Sequence, residues 1–422
     1  MRNLGLLLLL LQHAVPAPAQ FDTTILLRPD RVFDGSETHD KWSVLVRQDK
    51  IEAVGPDSGL RAPTYARIID LPGATLIPGM IEGHTHLFLH PYDETPWNDQ
   101  VLKEPEAYRV ARATNHARET LLSGFTTARD LGTEGAGYAD LGLKQAIDDG
   151  VVPGPRLLIA SRAIVATGSY GPKGFAPRFR VPLGAEAADG SEMLIRVVRD
   201  QIGHGADWVK VYSDYRWGRQ GEARPTFSEA ELLSIVETAT SSARPVAAHA
   251  STAEGMRRAV VAGVTTIEHG DGGSEEVFAL MAEHDVALCP TLAATRAIAK
   301  YRGWNPDSDP EPERVRQSRA SFQRAIAAGV PICMGSDAGV FPHGENYLEL
   351  ELMVAYGMSP VEALRAATTV NAAYLQLSST VGSIQPGLLG DLVAVDGDPT
   401  KSIEDLRNPR LVMKGGRIYL EP

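Results

Sequence analysis

Two histidines one residue apart, His84 and His86, follow the run Ile77-Pro78-Gly79-Met80-Ile81-Glu82-Gly83. In an extended chain residues i and i+2 face the same way, so the two imidazoles converge as a two-nitrogen clamp for a metal. His-x-His alone is an unspecific signal. Four more polar residues stand within or at the ends of apolar, strand-like runs. Lys210 follows Asp207-Trp208-Val209, His249 follows Pro245-Val246-Ala247-Ala248, His269 follows Thr265-Thr266-Ile267-Glu268, and Asp337 follows Ile332-Cys333-Met334-Gly335-Ser336. In a closed ring of parallel strands these C-terminal ends meet around one centre. Imidazole and carboxylate at that density describe a divalent metal site with nitrogen and oxygen ligands. The ammonium of Lys210 would be repelled there and costly to desolvate. Carboxylation of its amine by CO2 would instead give a carbamate with two oxygens, able to bridge two metals.

The elements that must position these residues follow from the rest of the sequence. The chain has 422 residues, 43% hydrophobic and 22% charged, which is ordinary globular composition. Its net charge of −12, with no lysine or arginine run, excludes a nucleic-acid or anionic-membrane binder. Cys289 and Cys333 fit no metal spacing and are expected as buried free thiols. Met1-Arg2, the apolar run Leu4 to Leu11 and Ala17-Pro18-Ala19 read as a signal peptide over residues 1–19, too short to span a bilayer. The expected location is periplasmic or secreted, with no membrane association after cleavage.

From residue 79 to 377, short apolar runs alternate with helical stretches, the pattern of repeated βα units. Eight strand candidates lie at Ile77–Glu82, Thr126–Asp130, Arg156–Ala160, Trp208–Tyr212, Val246–His249, Thr265–His269, Ala287–Pro290 and Ile332–Ser336. Helices are expected over Glu106–Leu122, Gly190–His204, Ser228–Ser242, Glu313–Ala328 and Ser359–Leu377, the last with Pro360 at its first position. Residues 20–78 and 378–422 carry short β-like runs. The fold class is therefore α/β, a (β/α)8 TIM-like barrel over 79–377 with a small β-sandwich domain built from both chain ends. The Gly/Pro/Ser-rich stretch Ala166–Gly184 is long for a loop and is expected to shape the site.

The set Pro78-Gly79-Met80-Ile81-Glu82-Gly83-His84-Thr85-His86, Lys210, His249, His269 and Gly335-Ser336-Asp337 resembles the amidohydrolase superfamily, in its binuclear, carbamylated-lysine branch. The likeness runs on to Gly387-Leu388-Leu389-Gly390-Asp391-Leu392-Val393. It implies that His84, His86 and Asp337 hold one metal and His249 and His269 a second, with Lys210 bridging. Zinc, manganese and cobalt all suit these ligands, and zinc is the expectation. Ala166–Lys173 and Lys210–Gly218 look like the secreted Xaa-Pro dipeptidase (prolidase) and ochratoxin-type group. That likeness implies carboxypeptidase-like cleavage of an amide whose C-terminal side bears a free carboxylate, in dipeptides or N-acyl amino acids, and a homo-oligomer as large as an octamer.

Under this resemblance two metals would make a bridging hydroxide available near neutral pH, and Asp337 would shuttle its proton to the leaving nitrogen. Tyr215 and Arg216 are the candidates to receive the substrate carboxylate. Tyr170 is the candidate oxyanion donor, and His343 a candidate pocket residue. His13, His39, His90, His116, His204 and His284 are read as non-catalytic. The rivals are a mononuclear deaminase or a cyclic-amide (imidazolone) hydrolase on the same fold, and a secreted binding protein without turnover. Deaminases of this layout place a glutamate three residues after the fifth-strand histidine, where this chain has Thr252. Imidazolonepropionase-like sequences carry Gly-Gly-His-Gly where this chain has Gly168-Ser169-Tyr170-Gly171.

Overall fold

A computed structural model describes residues 23–176 and 178–422. The signal peptide expected over residues 1–19 lies outside the described residues. Seven short parallel strands, Met80–Thr85, Phe125–Asp130, Arg156–Ile159, Val209–Tyr212, Val246–Thr252, Thr266–Gly272 and Ala287–Cys289, follow one another around a ring. The first three pair in register, as do the last four. Between the third and fourth, the N–H groups of Asp207 and Trp208 donate to the carbonyl of Ile159. The eighth position is filled by 332–338, which bridges Ile332 to Leu288 and Ala338 to Thr85 and so closes the barrel.

Two strand expectations are corrected. The run Ile77–Glu82 is split at Gly79, with a long strand Arg67–Pro78 ending before it and Met80–Thr85 beginning after it. A Cβ at Gly79 would lie 2.2 Å from Thr126 Oγ1, so the chain can turn there only without a side chain. The eighth segment forms bridges but no ladder, its N–H groups being divided between side chains and single bonds to the carbonyls of different neighbours. The Glu82 carboxylate accepts from Ser336 N (2.8 Å) and Ser336 Oγ (2.6 Å), while Asp337 N donates to the His84 carbonyl (2.7 Å).

The helices lie outside the ring. Glu106–Leu122 buries Ala113, His116, Ala117, Thr120 and Leu121, the three-and-four spacing of one helix face. Ser228 and Ser359 each complete a capping box, with Glu231 and Glu362 three residues on, and Pro360 opens its helix. The stretch expected as one helix to Leu377 is broken: Pro360–Arg365 runs into a π-turn at Ala366–Val370 before Asn371–Tyr374. The displaced turn lets the Asn371 amide donate to the carbonyls of Ile81 (2.7 Å) and Met334 (2.8 Å), joining the first and eighth barrel positions.

Both chain ends contribute to one eight-stranded sheet. Its strands run in the order Arg417–Leu420, Pro409–Lys414, Leu392–Asp396, Arg67–Pro78, Thr24–Phe33, Trp42–Arg47, Lys50–Pro56, with Thr38–Asp40 paired to Thr24–Phe33. The expected sandwich is, in its pairing, this single continuous sheet. Leu27, Val44, Leu76, Leu392 and Leu411 make its own core, whereas Val393, Val395 and Val412 join the barrel's main core. No described helix is long and apolar enough to cross a membrane. Cys289 and Cys333 are buried free thiols.

Candidate active site

His84 near the end of the first strand and His86 just beyond it present their Nε2 atoms 3.4 Å from each other. Asp337 Oδ1 lies 3.6 Å from the first and 3.4 Å from the second. Each ring is held from behind. His84 Nδ1 donates to Glu268 Oε2 (2.8 Å) and His86 Nδ1 to the Gly132 carbonyl (2.8 Å), while His269 Nδ1 shares a hydrogen bond with Thr291 Oγ1 (2.7 Å). In His84 and His86 this fixes the proton on Nδ1 and leaves Nε2 bare, the tautomer a metal ligand needs. His269 packs 4.4 Å from His249 and 5.2 Å from His84, ring to ring, while His249 stacks on Tyr212 at 4.5 Å. Burial, then the positive charge of Lys210, holds His84 and His249 well below the ordinary histidine range. His269 is held low by burial and by His249. Each shift favours the neutral ring, the form that ligates a metal.

Lys210 is buried at 1% exposure, and its Nζ has no hydrogen-bond partner among the described residues. Burial drives its pKa down and that of Asp337 up. An ammonium with no acceptor is costly to bury, and the lowered pKa increases the share of neutral amine, the form that CO2 carboxylates. Among the described residues, ligand atoms of His84, His269 and Asp337 all lie within 4.8 Å of one another. The donor set and the orphaned lysine therefore suit divalent cations. His269 (φ 76°) and Asp337 (φ 61°) both sit in the left-handed backbone region, strain of the kind that gathers at functional sites.

The cluster opens into a cavity of about 590 Å³ lined by His86, Tyr92, Trp97, Glu134, Tyr170, Tyr212, Tyr215, Arg216, His249, His269, Asp271, Arg314 and Asp337 among others. Tyr215 and Arg216 thus reach it, and Arg314, from the helix Glu313–Ala327, joins them 3.8 Å from Asp271. Tyr170 also lines it, but its hydroxyl donates to Glu134 Oε2 at 2.6 Å, so that proton is already committed and the expected oxyanion role is unsupported by this arrangement. His343 is not among the lining residues. Its ring stacks on His116 at 4.4 Å and its Nε2 meets the Leu89 carbonyl at 3.1 Å, making it a packing residue behind the cavity wall. Thr252, where a deaminase would carry its acid, accepts from Gly255 N to cap the next helix and donates to Asp214.

Glu268, Glu82, Glu134, Thr291 and Arg314 were not singled out by sequence reasoning. A charge inside an apolar strand run was an available signal for Glu268 and Glu82, since a buried carboxylate demands partners. Glu134 and Arg314 carry no such local signal.

The sequence profile of the Amidohydrolase family matches residues 75–419. The ochratoxinase of Aspergillus niger is 30% identical over 414 residues, covering 90% of this chain and 83% of that one. A crystal structure of a Xaa-Pro dipeptidase with bound methionine superposes with a TM-score of 0.84 at 30% identity, over 94% of this chain and all of that one. The imidazolonepropionase of Deinococcus radiodurans is 26% identical, covering 86% of this chain and 87% of that one.

Proposed function

The chain belongs to the amidohydrolase family and is a hydrolase of amide bonds, and from that premise we propose that it cleaves dipeptides or N-acyl amino acids bearing a free C-terminal carboxylate. One observation carries the reading: the His/Lys/Asp cluster opens into the same cavity as Tyr215 and two guanidinium groups, Arg216 and Arg314. A planar guanidinium beside a phenol is a receptor for a carboxylate.

In this proposal His84, His86 and Asp337 would hold one divalent ion, zinc by preference, and His249 and His269 a second, and Lys210, carboxylated to a carbamate, would supply further oxygen ligands. The unpartnered, buried Lys210 Nζ supports that modification. When bound, such ions acidify water and polarise a carbonyl. Arg216, Arg314 and Tyr215 fix the substrate's carboxylate end. Asp337 takes a proton from the attacking water and delivers it to the leaving nitrogen. Tyr170 acts on Glu134. The leader-like residues 1–19 support export, and we read the eight-stranded sheet as a small β-sandwich domain flanking the barrel.

The test is a panel of dipeptides and N-acyl amino acids with proline, phenylalanine, leucine and basic residues on the C-terminal side, assayed alongside metal analysis. The expected result is cleavage of carboxylate-bearing amides by protein carrying about two metal ions per chain. Lys210→Ala should lower metal content and reduce kcat/KM by at least about 10–100-fold. If all these amides stay intact while a cyclic imide or lactone is opened, the substrate assignment is wrong.

A further inference from the structure

Glu134 follows the second barrel strand and is 3% exposed. One carboxylate oxygen is fully engaged, since Oε2 accepts from Trp97 Nε1 (2.9 Å) and from the Tyr170 hydroxyl (2.6 Å). The other, Oε1, is buried and has no partner among the described residues, although Glu134 lines the cavity. The backbone beneath is locked: Arg109 donates to the carbonyls of Glu134 (2.8 Å) and Thr133 (2.9 Å), and Glu134 itself holds φ at 49°. A carboxylate oxygen so fixed and left bare is expensive to bury unless a ligand donor completes it.

Oε1 sits beside the histidine clamp: a Cβ built on Gly132 would be 3.7 Å from both Glu134 Oε1 and His86 Cε1. The cationic groups of the cavity lie elsewhere. Arg314 pairs with Asp271 of the sixth strand, and in a ring of eight the second and sixth strands face each other. Glu134 thus stands on one side of the cavity and Arg314, paired with Asp271, on the other.

We propose that Glu134 receives the free α-ammonium of a dipeptide and so selects zwitterionic dipeptides over N-acylated amino acids. This rests on the carboxylate-directed amide-hydrolase reading above and narrows it. An ammonium offers Oε1 both a hydrogen bond and a compensating charge. Acetylation removes the charge and adds bulk against Trp97 and Tyr170.

The experiment uses two phosphinic dipeptide isosteres in which P–CH2 replaces the scissile C–N unit, identical except that one carries a free and the other an acetylated N-terminal amine. Neither is cleaved, so calorimetric binding to the metal-loaded enzyme reads recognition alone, while the hydrolysis panel judges the amide-hydrolase reading separately. Wild-type protein should bind the free amine at least about tenfold more tightly. In Glu134→Gln, checked for folding by its thermal melt, the ratio should fall to within about threefold. Trp97→Phe, which leaves the carboxylate in place, should keep the preference. Equal binding of the two isosteres by wild type, or an undiminished preference in Glu134→Gln, overturns the proposal; the wild-type comparison stands even if the variant does not fold.

Discussion

Asp337 combines two properties seldom found in one residue: a left-handed backbone at φ 61° and a carboxylate within 3.6 Å of two imidazole nitrogens. The strained backbone is fixed by its N–H, which donates to the His84 carbonyl, so the side chain projects into the cavity and not along the eighth segment. Asparagine keeps the size and one ligating oxygen but cannot carry a proton between water and leaving nitrogen. Asp337→Asn is expected to lower kcat by about 10²–10⁴, the range for losing a positioned acid–base group, with thermal stability nearly unchanged. Steady-state kinetics and a melt decide it; wild-type kcat in this variant would move the proton shuttle to another group.

Between elements, the helix Ala139–Asp148 is tied to the loop after the third strand by Asp140, whose carboxylate accepts from Ser161 N (2.8 Å) and Ser161 Oγ (3.1 Å). Burial pushes the Asp140 carboxyl up to about 6 against these hydrogen bonds. A carboxyl whose pKa rises on folding binds its proton more tightly in the folded state. Its favourable contribution is complete below about pH 4 and is lost as pH rises through about 6. Asp140→Asn should therefore flatten the fall in stability between about pH 4 and 6, by an amount on the order of 2–3 kcal/mol relative to wild type. Urea unfolding at several pH values measures the difference. Parallel curves for the two proteins would mean that Asp140 does not titrate in this window.

At the scale of the whole molecule, Arg129 is a cross-brace inside the barrel. It is fully buried and donates to the Gly83 carbonyl (2.6 Å), Thr266 Oγ1 (3.2 Å) and Glu268 Oε1 (2.9 Å), linking the first, second and sixth strands, and it lies 4.3 Å over Trp208. Glu268 in turn orients His84. Arg129→Met preserves volume but strands a buried carboxylate, so a loss of about 3–5 kcal/mol of stability is expected by denaturant unfolding. A loss below about 1 kcal/mol would show that Glu268 finds its compensation elsewhere.

Most of the elements and the residues of the cluster were legible in the sequence, whereas the break at Gly79 and the π-turn at Ala366–Val370 were not. Strand-end His84, His86, His249, His269 and Asp337 were legible because a polar side chain closing an apolar run has few reasons to be there, and period-two alternation fixes the face it takes. The helix Glu106–Leu122 and the Ser228 and Ser359 caps were equally local. The tertiary fold alone decided what surrounds that cluster. Glu134 and Arg314 reach the cavity from opposite sides of the ring, Tyr170 turns to Glu134 in place of the reaction centre, and His343 goes behind the wall. Such placements depend on how loops and outer helices pack over the strand ends. Packing is a sum of contacts between residues far apart in the chain, and no local periodicity encodes it.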